Sequence, residues 1–342
     1  MRVLVLGGSR FVGRAVVECA RGATVDVVNR GLTGHQVGGA THLRADRTDP
    51  AELAAAVADR SWDAVIDTWS GAPVHATTAA QLLGPRTGHY GYVSSRSVYA
   101  RPVAPGLDET APVVAGDADD IGEADYARAK RGAELGVVAA RPDALLARAG
   151  LIVGPWEDVG RLPWWLERIE RGGRVLAPGP PQRPLQLIDA RDLAAWMLDA
   201  AERRIGGAFN VVSRVGHTTI GELLETAIEV TGADAELVWF THEEIAAAGL
   251  SPWTELPIWV PPDGPYAFLH DGDTEAAHRA GLRCRPIADT VHDTWAWLTT
   301  TSSEAPLHDH PPLGLDPERE AEVLRGHGGG SAIRPPQGHV EG

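Results

Sequence analysis

The first 150 residues alternate between short apolar runs and longer Ala-rich stretches with helical spacing. The runs lie at 2–6, 24–28, 42–44, 64–67, 90–94 and 144–148. The helical stretches lie at 11–21, 50–58, 74–83 and 124–139. Strands that are apolar along their whole length are buried on both faces, and intervening helices must supply those faces. Right-handed crossovers then predict an α/β fold, a doubly wound parallel Rossmann sheet.

After Gly154 the pattern changes. Residues 163–184 are rich in Gly, Pro and Arg and read as loop with one helix. Residues 185–188 and 208–212 read as returning strands, and 220–231 as an amphipathic helix. The Pro- and Trp-dense stretch 250–265 reads as an ordered lid, followed by closing helices at 273–280 and 287–298. Asp316 and Pro317 supply a cap and a first position for a last docked helix at 316–325. Beyond 327 the composition predicts a disordered tail. The expected organisation is a nucleotide domain over 1–155, a smaller mixed α/β substrate-binding region over 156–300, and a Pro/Gly-rich tail over 301–342.

Composition narrows the partners. The chain has 342 residues, 44% of them hydrophobic, which is ordinary for a soluble globular protein with a sizeable core. Its formal charge of −15, from 46 acids against 31 Lys and Arg, argues against a nucleic-acid partner. No apolar run approaches the length needed to span a membrane. Cys19 and Cys284 make neither a metal motif nor a disulfide framework and fit a reduced, cytoplasmic setting. His217, His242, His308 and His310 do not form a metal motif, and His308 and His310 read as part of a solvated loop.

The chemistry begins at the first strand end, Gly7-Gly8-Ser9-Arg10-Phe11-Val12-Gly13. Glycines there let backbone approach a pyrophosphate, and the helix that follows points free N–H groups at it. Arg10 occupies the usual middle-glycine position and places a guanidinium at the mouth of the phosphate site. The second strand ends in Asn29-Arg30, where an NAD binder has a carboxylate for the ribose hydroxyls. With no carboxylate to repel a 2′-phosphate and with Arg10 and Arg30 near, NADP(H) is expected over NAD(H), which stays possible. The alternative is that Arg30 is a solvated loop residue. Asp46, ending the third strand, is placed either to accept from the adenine amino group or to face solvent.

Further on, Tyr126 and Lys130 lie one helical turn apart in Asp125-Tyr-Ala-Arg-Ala-Lys, downstream of a strand that ends at Ser95. A tyrosine near pKa 10 is a poor base at neutral pH. A cation about 5 Å away at an effective dielectric of about 20 favours the phenolate by roughly 3 kcal/mol, enough to lower the pKa by about two. The sequence thus predicts that Tyr126 transfers a proton and Lys130 tunes it, with Ser95 orienting the substrate oxygen.

Together the glycine turn, Ser95-Arg-Ser-Val-Tyr99, Tyr126 and Lys130 resemble the extended short-chain dehydrogenase/reductases, the NAD-dependent epimerase/dehydratase family. The resemblance covers about residues 1–300 and extends to the turn at 148–155 and the segment 188–193. It implies that Ser95, Tyr126 and Lys130 are the catalytic triad, that Lys130 also holds the nicotinamide ribose, and that a homodimer forms through the helices at 74–83 and 126–139. The glycine turn is most similar to an atypical branch that includes a chloroplast RNA-binding protein.

Three departures shape the expected activity. Sugar-nucleotide dehydratases of the family carry an Asp-Glu pair where this chain has Arg96 and Ser97. Sugar epimerases carry an Asn where it has Leu151, and a diphosphate-binding Arg where it has Leu185 and Gln186, with Arg183 only loosely placed. The substrate side instead offers Trp156, Trp164, Trp165, Trp253 and Trp259, either as core or as walls for a flat or apolar substrate. The expected function is an NADP(H)-dependent ketone/alcohol oxidoreductase acting on a small molecule. The alternatives are an NAD(P)-dependent sugar or sugar-nucleotide epimerase, which needs the same triad, and a non-catalytic nucleotide-sensing or RNA-binding protein.

Overall fold

The apolar runs fold as the central sheet. The computed structural model describes residues 1–31, 37–102, 104–300 and 313–327. Its first half comprises β1 (Arg2–Leu6), α1 (Phe11–Cys19), β2 (Thr24–Asn29), β3 (Ala40–Arg44), α2 (Pro50–Ala56), β4 (Trp62–Asp67), α3 (Pro73–Leu83), β5 (Thr87–Ser95), α4 (Tyr126–Ala140) and β6 (Leu145–Ala149). The second half comprises β7 (Leu151–Val153), α5 (Arg161–Glu170), β8 (Gly173–Pro178), β9 (Pro184–Leu185), β10 (Leu187–Asp189), α6 (Ala190–Glu202), β11 (Gly207–Val211), β12 (Thr218–Thr219), α7 (Ile220–Thr231) and β13 (Ala235–Phe240). It closes with α8 (His242–Ala247), α9 (Glu275–Arg279), α10 (Ile287–Thr300) and α11 (Pro317–Gly326).

Seven strands form one parallel sheet in the order β11-β6-β5-β4-β1-β2-β3. This is the expected doubly wound Rossmann sheet, extended at one edge by β11. Val3, Leu4, Val5 and Leu6 of β1 are wholly buried, as a strand covered on both faces requires. The order reverses between β1 and β4, so their carboxyl ends open the crevice where such sheets take ligands.

The second half is mixed α/β. β8 and β13 pair in parallel from Gly173↔Ala235 to Pro178↔Phe240, β8 inside the stretch 163–184 that reads as loop with one helix and β13 in a stretch that the sequence pattern leaves unassigned. The strand over 185–188 is divided: β9 pairs with β12 and β10 with β7. The lid over 250–265 has no regular helix or strand, yet Leu256, Ile258 and Trp259 are buried in the second core. α11 docks on that core through Leu324 and a buried pair, Arg168 Nε to Glu320 Oε2 at 2.5 Å. His308, His310 and the tail beyond 327 lie outside the described residues. No helix among the described residues is long and apolar enough to cross a membrane.

Candidate active site

The glycine turn between β1 and α1 is built for a close approach. Gly7 has φ +98°, and a Cβ on Gly13 would run into the Gly7 carbonyl. Arg10 sits at the N-cap of α1 in extended conformation and gives no side-chain cap, so the first amides of α1 stay open toward the crevice. Gly8, Ser9, Phe11 and Val12 complete the turn, with Phe11 at φ 32°. These are features that a dinucleotide pyrophosphate fits.

At the far end of the crevice, Arg30, Arg44, Ala45, Asp46 and Glu52 line an open cleft of about 300 Å³. Asn29 is committed to holding this turn: its Oδ1 accepts from the Gly31 amide at 3.1 Å, and its Nδ2 lies 3.3 Å from His42 Nδ1. Asp46 Oδ1 accepts from the amide and hydroxyl of Thr48, which lower the Asp46 pKa, and Glu52 Oε2 accepts from the Asp46 amide. The two acids are thus engaged locally. Among the described residues, the Arg30 and Arg44 guanidinium groups form no hydrogen bond or ion pair within the protein. Arg44 was not legible as a site residue, because a polar residue at a strand end is ordinary. Arg10 does not line this cleft.

The triad residues converge at the carboxyl end of β5. Ser95 caps the turn after the strand, its Oγ accepting from the Ser97 amide at 3.1 Å, which leaves its own proton for an oxygen in front of it. Ser95 lies close enough to the Tyr126 hydroxyl to hold its pKa down. Asp125 caps α4, accepting from the Arg128 amide at 3.0 Å, so Tyr126 is the first residue of the helix. One turn on, Lys130 is buried and donates to the carbonyls of Trp69 at 2.6 Å and Val93 at 2.8 Å. An ammonium has three donors, so one remains for a ribose hydroxyl. A further turn on, buried Glu134 accepts from Ser94 at 2.7 Å and from Arg148 at 2.9 and 3.0 Å, fastening α4 to β5 and β6.

The expected tuning of Tyr126 by Lys130 is corrected. Burial of the hydroxyl end pushes the phenol pKa above its ordinary value, although half of the residue's surface is exposed. The Ser95 hydroxyl opposes that rise, and the cation that opposes it is Arg161, not Lys130. The Lys130 ammonium is held beneath the strand by two carbonyls, and burial lowers its pKa to about 7 against the pull of Asp67 and Glu134. Tyr126 is therefore protonated at neutral pH in this state and set to donate.

Arg96 takes no part in such chemistry. It is wholly buried and donates to Gln186 Oε1 at 3.0 Å and to the carbonyls of Leu269 at 3.2 Å and Phe268 at 2.6 Å. It ties the end of β5 to the segment that follows the lid. Trp165 and Trp259 are core residues, and Trp156 packs between Arg14 of α1 and Trp297 of α10. Trp253, at φ 71°, lies under the Arg161 guanidinium.

The NAD dependent epimerase/dehydratase family matches this sequence over residues 3–212. The chain belongs to that family. It is therefore an enzyme of the short-chain dehydrogenase/reductase type that works with a nicotinamide dinucleotide. Solved structures agree in fold. UDP-glucose 4-epimerase of Thermotoga maritima is 20% identical with a TM-score of 0.63, over 88% of this chain and 100% of that one. The Bordetella bronchiseptica enzyme WbmH, solved with NAD+, is 18% identical with a TM-score of 0.64, over 87% and 98%. A dTDP-glucose 4,6-dehydratase of Bacillus anthracis, solved with NAD, is 13% identical with a TM-score of 0.62, over 89% and 98%. No curated protein matches the sequence.

Proposed function

We propose that this protein is an NADP(H)-dependent oxidoreductase that interconverts a ketone and an alcohol on a small molecule. The cofactor supplies or accepts hydride when bound. Tyr126 donates the proton to the substrate oxygen in reduction and takes it back in oxidation. Ser95, its Oγ already accepting from Ser97, donates to the same oxygen and fixes its angle. Lys130 holds the ribose with its remaining N–H.

The observation that carries the reading is the cleft at the ends of β2 and β3. Arg30 and Arg44 line it with unengaged guanidinium groups, and Asn29 stands where a carboxylate would repel a 2′-phosphate. A cofactor used as a co-substrate suits net reduction. Leu151 and Leu185, in place of sugar-nucleotide contacts, support the same reading.

Family membership and the epimerase neighbours favour a second reading, an epimerase that retains its cofactor and uses the same triad. The two are separated by releasing any bound nucleotide and titrating the empty protein with NADPH and NADH by tryptophan-to-nicotinamide energy transfer. NADPH binding at least about 10-fold tighter, lost in Arg30→Ala and Arg44→Ala, supports the reductase. Tightly retained NAD+ overturns the NADP assignment and puts the epimerase first.

A further inference from the structure

Arg161 is a largely buried cation whose charge reaches the Tyr126 phenol and whose guanidinium makes no hydrogen bond among the described residues. It is the first residue of α5, with its side chain 18% exposed. Its Nε is buried and unpartnered. Its Nη1 lies 3.7 Å from Glu157 Oε1, beyond hydrogen-bond length. Glu157 cannot close that gap cheaply, because its two oxygens accept from the amides of Arg161 at 2.8 Å and Leu162 at 3.2 Å. The guanidinium carbon stands 5.1 Å from the Trp253 ring, and its charge reaches the Tyr126 phenol.

Arg183 also has a buried, unpartnered Nε, but two other buried arginines bordering this region are tied to the protein. Arg96 makes three hydrogen bonds, and Arg168 bonds Glu320 and two carbonyls. With its Nε buried and unpartnered, and no hydrogen-bonded acceptor for its guanidinium among the described residues, Arg161 can take an acceptor from outside.

We propose that Arg161 recognises a carboxylate on the substrate, held by the guanidinium fork while Tyr126 and Ser95 address the oxygen at the reacting carbon of the same molecule. The substrate is then an oxo acid or hydroxy acid, with Trp253 forming a wall beside its carboxylate end. This rests on the oxidoreductase reading for the role of Tyr126. A planar carboxylate matches one guanidinium edge with two parallel N–H···O bonds. A phosphate dianion would face the buried Glu157 with one more negative charge and only one guanidinium to offset it.

Glu157 supplies a second signature. It is fully buried, and burial raises its carboxyl pKa to about 7 against the Arg161 charge and the two amides, with Asp158 pushing the same way. An anion seated on Arg161 offsets the cation that holds Glu157 ionised, so binding takes up a proton. The groups facing Glu157 are Arg161 and Asp158. Affinity for the anion should therefore weaken as pH rises through 7.

The test is binding rather than turnover. Benzoylformate, its uncharged analogue benzoylformamide, and inorganic phosphate are titrated into the full-length protein with and without NADP+, following tryptophan fluorescence. Wild type is compared with Arg161→Met, Arg161→Lys and Glu157→Gln, each checked by thermal melting. The expected result is a roughly 10- to 100-fold preference for benzoylformate over the amide, abolished in Arg161→Met and partly kept in Arg161→Lys. Its affinity should fall a few-fold from pH 6 to pH 8 in wild type and stay flat in Glu157→Gln. Equal binding of acid and amide, no binding of either, an unchanged preference in folded Arg161→Met, or stronger binding of phosphate each overturns the proposal. NADPH titration of the same samples separates the two conclusions: weak NADPH binding with an Arg161-dependent preference intact removes only the NADP reading.

Discussion

Arginine is buried differently beneath the nucleotide sheet and around the substrate site. In the nucleotide half, Arg47 meets Asp67 with two hydrogen bonds at 2.5 and 2.9 Å, and the Tyr90 hydroxyl donates to the same carboxylate at 2.9 Å. Burial works against the Arg47 charge, but Asp67 more than restores it and its pKa rises. Around the substrate site, Arg96 has only carbonyl acceptors, and burial lowers its pKa to about 10. Arg161 has Glu157 at 3.7 Å and no hydrogen-bonded acceptor for its guanidinium among the described residues. A paired charge holds the fold against itself. An arginine without a carboxylate either holds backbone in place, as Arg96 does, or waits for a ligand.

The comparison is tested most severely at Tyr126. If the triad is the reacting centre, Tyr126→Phe should cut the turnover rate about 10²- to 10⁴-fold. Cofactor affinity, on the proposed reading carried by the turn after β1, Lys130 and the Arg30–Arg44 cleft, should stay within about 2-fold, because the ring is kept. Single-turnover hydride transfer with NADPH, beside an NADPH binding titration, separates the two effects. A variant that loses cofactor binding instead would show that the tyrosine is a structural part of the crevice.

Arg96 comes next. Arg96→Met keeps most of the side-chain volume but takes the Arg96 donors away from Gln186 Oε1 and the Phe268 and Leu269 carbonyls, and should cost about 4 kcal/mol in denaturant unfolding. Gly272→Ala attacks the same joint from the other side, since a Cβ there would strike the Arg96 guanidinium. Both changes should expose the segment around 258–272 to hydrogen exchange before the central sheet. Uniform loss of protection would mean that the joint supports the whole domain.

These sites also mark where the sequence was legible. The nucleotide half was readable because its strands are apolar along their length and its turns carry glycine. Asp316 and Pro317 likewise announce α11. β8 and β13 escaped because Arg174, Pro178, Glu236 and Trp239 break any simple apolar pattern, and their pairing spans 62 residues between Gly173 and Ala235. Arg96, Arg161 and Arg44 look alike as letters. Only the placement of distant carbonyls, a distant indole and the adjacent strand end gives each its separate role. The Tyr126–Lys130 spacing was visible, but the carbonyls of Trp69 and Val93 that capture the lysine were not.

A pH prediction sharpens the contrast on the substrate side. His270 is buried, its Nδ1 accepts from the Gln186 amide at 3.0 Å, and its Nε2–H therefore donates to the Ile258 carbonyl at 2.8 Å. Burial lowers its pKa to about 4, with Arg183 and Arg96 adding repulsion to the charged form. The unfolded chain takes up a proton near pH 6.5 while the folded one does not until about pH 4, so stability falls as pH drops across that window. The loss should approach roughly 3 kcal/mol by pH 4. His270→Gln should lower stability at pH 7 and flatten that part of the profile, as read by urea unfolding from pH 7 to pH 4.

The smallest expected effect lies where the halves touch. Arg14 of α1 places its guanidinium carbon 3.7 Å from the Trp156 ring centre, and Trp156 packs on Trp297 of α10 at 5.5 Å. Trp156 holds φ 67°, a conformation that costs a non-glycine residue about 1 kcal/mol or more unless its surroundings fix it. Arg14 also bonds Glu18 at 2.7 Å, so one side chain is both paired within its helix and stacked across to the substrate half. Arg14→Gln removes the stack and the ion pair and should lower stability by only about 1 kcal/mol, because the first is a partly exposed cation–π contact and the second a surface pair. Its distinctive consequence is loosening of the turn at 154–157 that presents Glu157 and Arg161. Hydrogen exchange at the Arg161 and Leu162 amides should then rise while exchange in β1 and β4 does not. Unchanged exchange at those two amides would show that Glu157 alone sets the turn and that the nucleotide helix plays no part in positioning the substrate-side arginine.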